Sequence, residues 1–415
     1  MKKRILTVAI SVIVVLNLFS GEIANAAISL GFKVYLCGII DSDGADRTSW
    51  ITTSQNELLK IEDATIITDT AFNNTQLASY IKNANFFVIH THGNNQSIKA
   101  VDGSNVSQLY SSDIAGWGNS SLFNLKVAFL GACKTGKTQT GVLNLVDAMF
   151  SKGARCVIGY TNSVLVGCNR TMLQNFCVAI GNGYTIQNAL AYGDARVLAI
   201  KGQTGGTDLR YVRGDTSVKF KESSLLLRSV GESLNEEIVY FTDEDGVYGY
   251  FDVSKMNQTN RKINTYEVSC NQTQKEVVEQ FIMNKVSNFG KYTLKYQKYV
   301  EDTGLTSYVY CYNIGNINTD DYIFVMINNN NQVVSYGVPN EGEYDSVDLD
   351  KVDLDVTDEY LEQTLQDSGI TEYQVTDKCI VKDNGVLSMR YSIKYGFNSS
   401  EYEYWDEFMV PLGGI

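Results

Sequence analysis

The stretch KVAFLGACKTGKTQTGVLNLVDAMF, residues 126–150, joins an apolar run, a glycine-bearing turn and an amphipathic segment. The run at 127–130 predicts a strand that is covered on both faces. Cys133 follows it, where the chain leaves the carboxyl end of the strand, the edge at which α/β sheets gather ligands and chemistry. Apolar residues then recur with helical spacing, at Val142, Leu145, Val146, Met149 and Phe150.

This strand–turn–helix pattern is compatible with two chemistries. Residues 131–138, GACKTGKT, match the phosphate-binding motif G-x-x-x-x-G-K-[ST] in the strand–loop–helix context that it requires. Cys133 in the same turn is instead a candidate nucleophile, which needs a histidine nearby. The rest of the chain bears on the choice.

Length and charge limit the class of protein. The chain has 415 residues, of which 44% are hydrophobic and 20% charged, values typical of a globular protein with two or three domains. Its net charge of -13 disfavours binding to nucleic acid or to anionic lipid.

The N-terminus has the pattern of a secretory signal. Residues 1–26 begin with basic side chains, continue with an apolar stretch and end in Ala24-Asn25-Ala26, which predicts cleavage before Ala27. No later stretch is apolar and long enough to cross a bilayer. We therefore expect a secreted, extracellular protein that can associate with the cell surface and keeps no stable membrane span after cleavage.

Metal sites are not expected. The eight cysteines include no C-x-x-C motif and the chain has only two histidines, which argues against a zinc site and leaves the disulfide pairing open. The loop DSDGADR, 41–47, begins like a calcium loop, but Thr52 stands where an EF-hand needs glutamate.

Predicted strands and helices alternate over the first half of the chain, which indicates a mostly parallel sheet with helices on both faces. The strands are expected at 31–40, 65–68, 86–89, 127–130, 155–160 and 209–220. The helices are expected at 50–61, after an N-cap at Asn74, from Val142, at 170–180 and at 186–200. A short helix is also expected within 108–117.

The second half has a different pattern. Residues 238–253 predict a hairpin that turns at Asp245-Gly246. Two weak repeats of a helix followed by tyrosine-rich strands come after it. We therefore divide the chain into a signal peptide (1–26), an α/β domain (27–222), a β-hairpin connector (223–273) and an α+β accessory region (274–415).

His90 and His92 follow the buried strand at 86–89, and Gly93 comes directly after His92. Because neighbouring parallel strands end at the same edge of a sheet, we expect His92 to lie near Cys133. The thiolate would attack a carbonyl, the imidazole would exchange protons, and the backbone N–H groups of Gly93 and Cys133 would bind the oxyanion. The phosphate interpretation lacks a strand that ends in an aspartate to hold magnesium.

These residues carry a resemblance to a known superfamily. A strand ending in His-Gly (FFVIHTHG) and a later one ending in Ala-Cys (VAFLGACKTG) resemble the caspase-like cysteine peptidases, which include caspases, gingipains, clostripain and separase. The CHAT branch is the most similar, through Ala132 to Gly136 and the strand that begins Gly153-Ala154-Arg155. The resemblance covers about residues 30–220.

The resemblance implies a caspase-like sheet and endopeptidase activity towards a protein or peptide, with His92 as general acid and base, Cys133 as nucleophile and no obligatory cofactor. It favours His92 over His90, which we expect to pack or orient. Gly131 stands where many members that cut after arginine or lysine carry aspartate. Since the loop after the first strand helps to line the substrate pocket in caspases, Asp41, Asp43 and Asp46 are candidate pocket residues that would select a basic side chain.

Two alternatives remain from the sequence. The first is a caspase-like binding protein with an inactive site, whose tyrosine-rich C-terminal region recognises a cell-surface ligand. The second is a nucleotide hydrolase that uses the phosphate-binding motif.

Overall fold

The structure is a computed structural model. It describes residues 31–41, 45–220, 238–242, 248–252, 273–338, 344, 347, 354–383, 386–395 and 404–412. The predicted signal peptide, Asp43 and the Asp245-Gly246 turn lie outside these residues. In the described part of the chain, no helix is both long enough and apolar enough to span a membrane.

A six-stranded sheet organises the N-terminal part. In spatial order its strands are β2, β1, β3, β6, β7 and β8, and every neighbouring pair is parallel except β7 with β8. The strands are β1 (Phe32–Gly38), β2 (Ala64–Asp69), β3 (Phe86–His90), β6 (Val127–Gly131), β7 (Cys156–Tyr160) and β8 (Arg210–Gly214).

Helices cover both faces of this sheet because successive strand residues point to opposite sides. In β3, Phe86 and Val88 belong to one buried cluster while Phe87 and Ile89 belong to another. The helices are α1 (Trp50–Leu58), α2 (Asn74–Asn83), α3 (Ser111–Ala115), α4 (Leu145–Ser151), α5 (Val166–Gly181) and α6 (Ile186–Lys201). The predicted mostly parallel sheet with helices on both faces is confirmed.

Local details differ from the predictions at three places. Helix α2 is capped by Asn73 rather than Asn74, through a capping box with Gln76. Helix α4 begins only at Leu145, because residues 139–142 form a turn in which the Val142 N–H donates to the Gln139 carbonyl oxygen over 3.0 Å. An antiparallel hairpin of β4 (Ser97–Asp102) and β5 (Asn105–Tyr110), which the sequence analysis missed, lies between β3 and α3.

A nine-stranded sheet forms the C-terminal part, in agreement with the predicted antiparallel strands. All its neighbouring strands are antiparallel except β13 with β15. Its strands are β9 (Ile238–Thr242), β10 (Tyr248–Asp252), β11 (Tyr292–Val300), β12 (Leu305–Ile314), β13 (Ile317–Asn328), β14 (Val333–Val338), β15 (Tyr373–Asp383), β16 (Val386–Tyr395) and β17 (Tyr404–Pro411). The hairpin of β9 and β10 joins this sheet through β14 rather than standing apart.

The two sheets share one buried core. One face of the nine-stranded sheet, with Val309, Tyr322 and Phe324, belongs to the same cluster as helices α5 and α6. The other face packs with α7 (Gln274–Met283) and α8 (Leu354–Asp367) in a separate cluster that includes Val278 and Leu365. The C-terminal sheet is therefore built onto the helical layer of the N-terminal domain.

Candidate active site

The strands that precede the two candidate catalytic residues are neighbours. β3 and β6 pair in parallel with His90 opposite Gly131, so His92 and Cys133 each follow their strand by the same two-residue offset. The Thr91 N–H donates to the Gly131 carbonyl over 3.1 Å and extends the pairing past the strand ends. The two ends thus lie side by side at one edge of the sheet.

The residues next to His92 and Cys133 are in direct contact. A Cβ placed on Gly93 would lie 2.9 Å from the Cβ of Ala132 and 3.2 Å from Cγ2 of Thr135, so only glycine fits against this turn. The N–H of Gly93 donates to none of the described residues, although the flanking groups pair with β4. The oxyanion role of this N–H stays a prediction.

Cys133 is the accessible thiol of the described residues. Of the seven cysteines described, only Cys133 is not buried. The Val164 N–H points at its sulfur, with 3.5 Å between N and Sγ. Lys134, directly after it, adopts a left-handed φ of 61°, which turns the chain sharply away from the strand. The thiol is thus presented at a tight turn with a hydrogen-bond donor beside it.

His92 lies in a buried cluster of charged groups that Asp41, Arg47 and Lys99 form around it. Nη2 of Arg47 is 2.9 Å from Nε2 of His92, and Oδ2 of Asp41 is 3.4 Å from the same nitrogen. Lys99 on β4 pairs with Asp41. Only 2% of Arg47 and 5% of His92 is exposed, so these interactions act in a medium that screens them weakly.

The two partners of Nε2 favour different tautomers of the neutral imidazole. A guanidinium can only donate, so its contact with Nε2 requires a lone pair there and places the proton of neutral His92 on Nδ1. Asp41 can only accept while ionised, so it favours the other tautomer, with the proton on Nε2. Arg47 and Asp41 together therefore hold the His92 ring in position.

Residues 52–205 match the family model of the CHAT domain. The N-terminal domain is CHAT-like. The predicted resemblance is confirmed, and with it a relation to the caspase-like cysteine peptidases. No curated protein matches the chain.

One matching solved structure is the complex of Porphyromonas gingivalis RgpB pro- and mature domains. It is 9% identical, and the match covers 92% of this chain and 69% of that chain with a TM-score of 0.37. A likeness at that TM-score carries no argument about function.

The GACKTGKT turn of the CHAT-like domain does not form a phosphate cradle. Its N–H groups at Lys134, Gly136 and Lys137 donate to the carbonyls of Asn162, Tyr160 and Lys134 over 3.0, 2.9 and 2.8 Å. The helix that would lend its N-terminus begins seven residues after the motif ends, at Leu145. The donors that bind phosphate in such loops are therefore already used.

The three aspartates predicted to line a substrate pocket do not share one environment. Asp41 is buried and engaged by Lys99 and His92, which favours a role in orienting His92 over one in a substrate pocket. Asp46 accepts from the N–H groups of Thr48 and Ser49 before α1 and pairs with Arg170 over 3.1 Å. Burial opposes ionisation of Asp46, but these hydrogen bonds and Arg170 outweigh it and hold its pKa well below its usual range. Asp43 is outside the described residues.

Gly131 and His90 are two further positions that the sequence analysis singled out. Gly131 cannot be the aspartate of basic-specific relatives, because a Cβ there would lie 2.6 Å from both the Ile89 carbonyl oxygen and Cδ1 of Leu173. His90 is 1% exposed, and burial, with Arg47 and His92 nearby, lowers its pKa well below the usual value. A neutral, packed His90 agrees with the secondary role expected for it.

Sequence reasoning missed Lys99 and Val164 and gave Arg47 no role. The position of Lys99 could have been predicted, because residues 97–110 alternate in polarity around Asp102-Gly103, which is a hairpin pattern. In the structure Gly103 has the φ of 60° that such a turn requires. Arg47 stood in the aspartate-rich loop, but nothing local indicated that it turns inward.

Proposed function

We propose that this chain is a cysteine endopeptidase that cleaves a protein or peptide substrate with Cys133 and His92. The observation that carries the proposal is the contact of the two strand ends, in which Gly93 packs against Ala132 and sets the imidazole-bearing and thiol-bearing turns side by side. The match of residues 52–205 to the CHAT family model supports it.

The proposed reaction begins when the thiol proton of Cys133 passes to the imidazole of His92, which Asp41 and Arg47 hold in place. The thiolate attacks the scissile carbonyl carbon, and the oxyanion accepts a hydrogen bond from the Gly93 N–H, with the Cys133 N–H as the expected second donor. His92 then gives its proton to the amine nitrogen as the C–N bond breaks. A water molecule, deprotonated by His92, hydrolyses the thioester and releases the acid.

The test is cleavage of a diverse peptide library by the full chain, read by mass spectrometry. We expect the wild type to cleave, Cys133→Ala to be inactive and Lys137→Ala to cleave like the wild type. Lys137 is the matched control because the phosphate interpretation depends on it. Cleavage by Cys133→Ala would contradict the role of Cys133 as nucleophile, and no cleavage by the wild type would contradict the proposal and favour an inactive binding protein.

Export and substrate preference are parts of the same proposal that rest on sequence. The signal pattern at residues 1–26 supports export with Ala27 as the new N-terminus, which sequencing of the exported protein tests. The same peptide library reports whether basic residues precede the cleaved bond. Asp46, which is exposed, is the described pocket candidate that a substrate can reach.

A further inference from the structure

Two loops are stacked beside Cys133. The first, residues 161–165, supplies the Val164 N–H that points at the sulfur. The second, residues 202–209, binds the first through two backbone hydrogen bonds: the Leu165 N–H donates to Gly205 over 2.8 Å and the Thr161 N–H donates to Leu209 over 2.7 Å. The position of the Val164 donor therefore depends on the second loop.

The stack leaves no room for relative movement without strain. Gly205 and Gly206 have φ values of 54° and 87°, which other residues rarely adopt. A Cβ on Gly206 would lie 2.4 Å from the Ser163 carbonyl oxygen, and one on Gly205 would lie 2.9 Å from Cβ of Leu165. The two loops thus pack backbone against backbone, and a displacement of one must displace the other.

The C-terminal region holds the far side of the second loop. Asp208 accepts hydrogen bonds from Nζ of Lys298 and from the hydroxyl of Tyr296, both at 2.7 Å and both on β11. At the start of the loop, Gln203 donates to the hydroxyl of Ser392 over 3.4 Å. The loop is therefore tied to the nine-stranded sheet at both ends.

A buried ion pair adjoins these ties. Arg210, directly after the loop on β8, binds Asp302 of the turn between β11 and β12 over 2.7 Å and Asp194 of α6 over 2.6 Å. Arg210 and Asp208 expose 1% and 3% of their side chains. Burial would raise the pKa of Asp208, but bonds from Lys298, Thr204 and Tyr296 outweigh it and hold the pKa lower than usual. Charges buried in this way are costly to leave unpaired, which makes the docking of the two regions specific.

We propose that the C-terminal region is a built-in positioning element for the Cys133 thiolate. By fixing residues 202–209 it holds residues 161–165, and these keep the Val164 N–H on the sulfur. The Val164 carbonyl also lies 3.9 Å from the sulfur and can accept from the thiol, but the N–H is closer, at 3.5 Å. Because a hydrogen bond to a charged acceptor is stronger than one to a neutral acceptor, the N–H favours the thiolate over the thiol. The inference rests on the proposed function and assigns the C-terminal region a part in it.

The chain offers a matched pair of lysines on β11 for the test. Lys298 binds Asp208 of the loop, whereas Lys295, three residues earlier, binds Asp377 within the C-terminal sheet over 2.9 Å. We compare Lys298→Met with Lys295→Met in the full chain, and add Tyr296→Phe, which removes only the hydroxyl that reaches Asp208. Thermal melting verifies that each variant is folded at the assay temperature.

The readouts are the pH profile of iodoacetamide alkylation at Cys133, followed by mass spectrometry, and kcat/KM for a cleaved peptide. For Lys298→Met we expect the midpoint of the alkylation profile to move to higher pH and both rates at neutral pH to fall about threefold to tenfold, since a hydrogen bond to the thiolate is weakened. Tyr296→Phe should change them in the same direction by less, and Lys295→Met by less than about twofold.

Equal profiles for Lys298→Met, Tyr296→Phe and the wild type would overturn the inference. So would equal shifts for the two lysine variants, which would indicate a general loosening of the C-terminal sheet. If the wild type cleaves no peptide but Lys298→Met alone shifts the alkylation midpoint, the positioning role stands and the proposed peptidase function fails.

Discussion

The two sheets of this protein differ in where their polar and reactive side chains lie relative to the strand ends. In the N-terminal sheet, five strands run parallel, so their carboxyl ends share one edge, and His92, Gly93 and Cys133 follow two adjacent ends. In the C-terminal sheet most neighbours are antiparallel, so strand ends alternate between edges. Its polar groups pair across strands, as Lys295 does with Asp377 and Tyr292 with Asp321.

This difference shows how strand direction determines where reactive groups gather. A thiol inside a strand is buried in either sheet, as Cys156 and Cys311 are, and burial raises the pKa of both to about 12. A thiol just past the end of a parallel strand, such as Cys133, meets the residues that leave the neighbouring strand. Substitutions at the ends of the parallel strands should therefore change activity more than substitutions within strands.

The largest effect should follow from His92→Asn. Removing the group that takes and returns the proton should lower kcat/KM by about 10²–10⁴-fold, the usual contribution of general acid–base catalysis. The measurement is steady-state cleavage of a peptide identified from the library. His90→Asn is the comparison, because His90 lies within the strand rather than beyond its end. We expect it to retain activity within roughly tenfold per folded molecule, and equal losses would refute the distinction between the two histidines.

The next effect is selective labelling of thiols. Burial raises the pKa of Cys168, Cys177 and Cys311 to about 12, so at pH 7 only about 1 in 10⁵ of each is thiolate. An ordinary accessible thiol is a few per cent ionised. Iodoacetamide should therefore modify Cys133 on the order of a thousandfold faster than these three. Peptide mapping after brief labelling measures the ratio.

The control for labelling is the same experiment in denaturant, where the preference for Cys133 should vanish because every thiol is then exposed. Early modification of Cys311 in the native protein would contradict the contrast between the two sheets.

A smaller effect is expected at the aspartates of two comparable ion pairs. Asp41→Asn removes the negative charge beside Nε2 of His92 and should lower kcat/KM roughly tenfold to a hundredfold, because the ion pair that orients the imidazole is lost. Asp377→Asn breaks the ion pair with Lys295 in the C-terminal sheet and should leave kcat/KM within about twofold. An Asp41→Asn enzyme with unchanged kcat and a raised KM for basic substrates alone would restore the pocket role that the sequence suggested for Asp41.

The sequence predicted the scaffold of the site better than its contacts. Apolar runs identified β3 and β6, and their lengths gave the offset that brings His92 and Cys133 to one edge, because both signals are local and periodic. The contact of Arg47 with His92 spans 45 residues of sequence and depends on how the loop after β1 folds inward. No periodicity encodes such a contact.

The wrong start of α4 and the false P-loop match also arise from features that are not local in the sequence. The helical stripe suggested that α4 includes Val142, but Gly141 adopts a φ of 76° and the chain turns there, so the helix starts at Leu145. The P-loop match depends on residue types, whereas phosphate binding depends on free N–H groups, and those of Lys134 and Gly136 donate to the carbonyls of Asn162 and Tyr160. Local composition does not specify these tertiary hydrogen bonds.

The smallest effect concerns the pH dependence of stability and arises from His90. Burial lowers its pKa in the folded state well below the ordinary value of 6.5, so the unfolded chain binds a proton that the folded chain does not. The stability linked to His90 is therefore fully present above about pH 6.5 and is lost as the pH falls towards the folded-state pKa, by up to about 1.4 kcal/mol per pH unit. Denaturant unfolding between pH 7 and pH 5 should show this loss, and His90→Asn, which cannot titrate, should reduce the slope by about one proton. An unchanged slope in His90→Asn would mean that the imidazole binds its proton equally in the folded and unfolded states, and the distinction between a packed His90 and a reactive His92 would then fail.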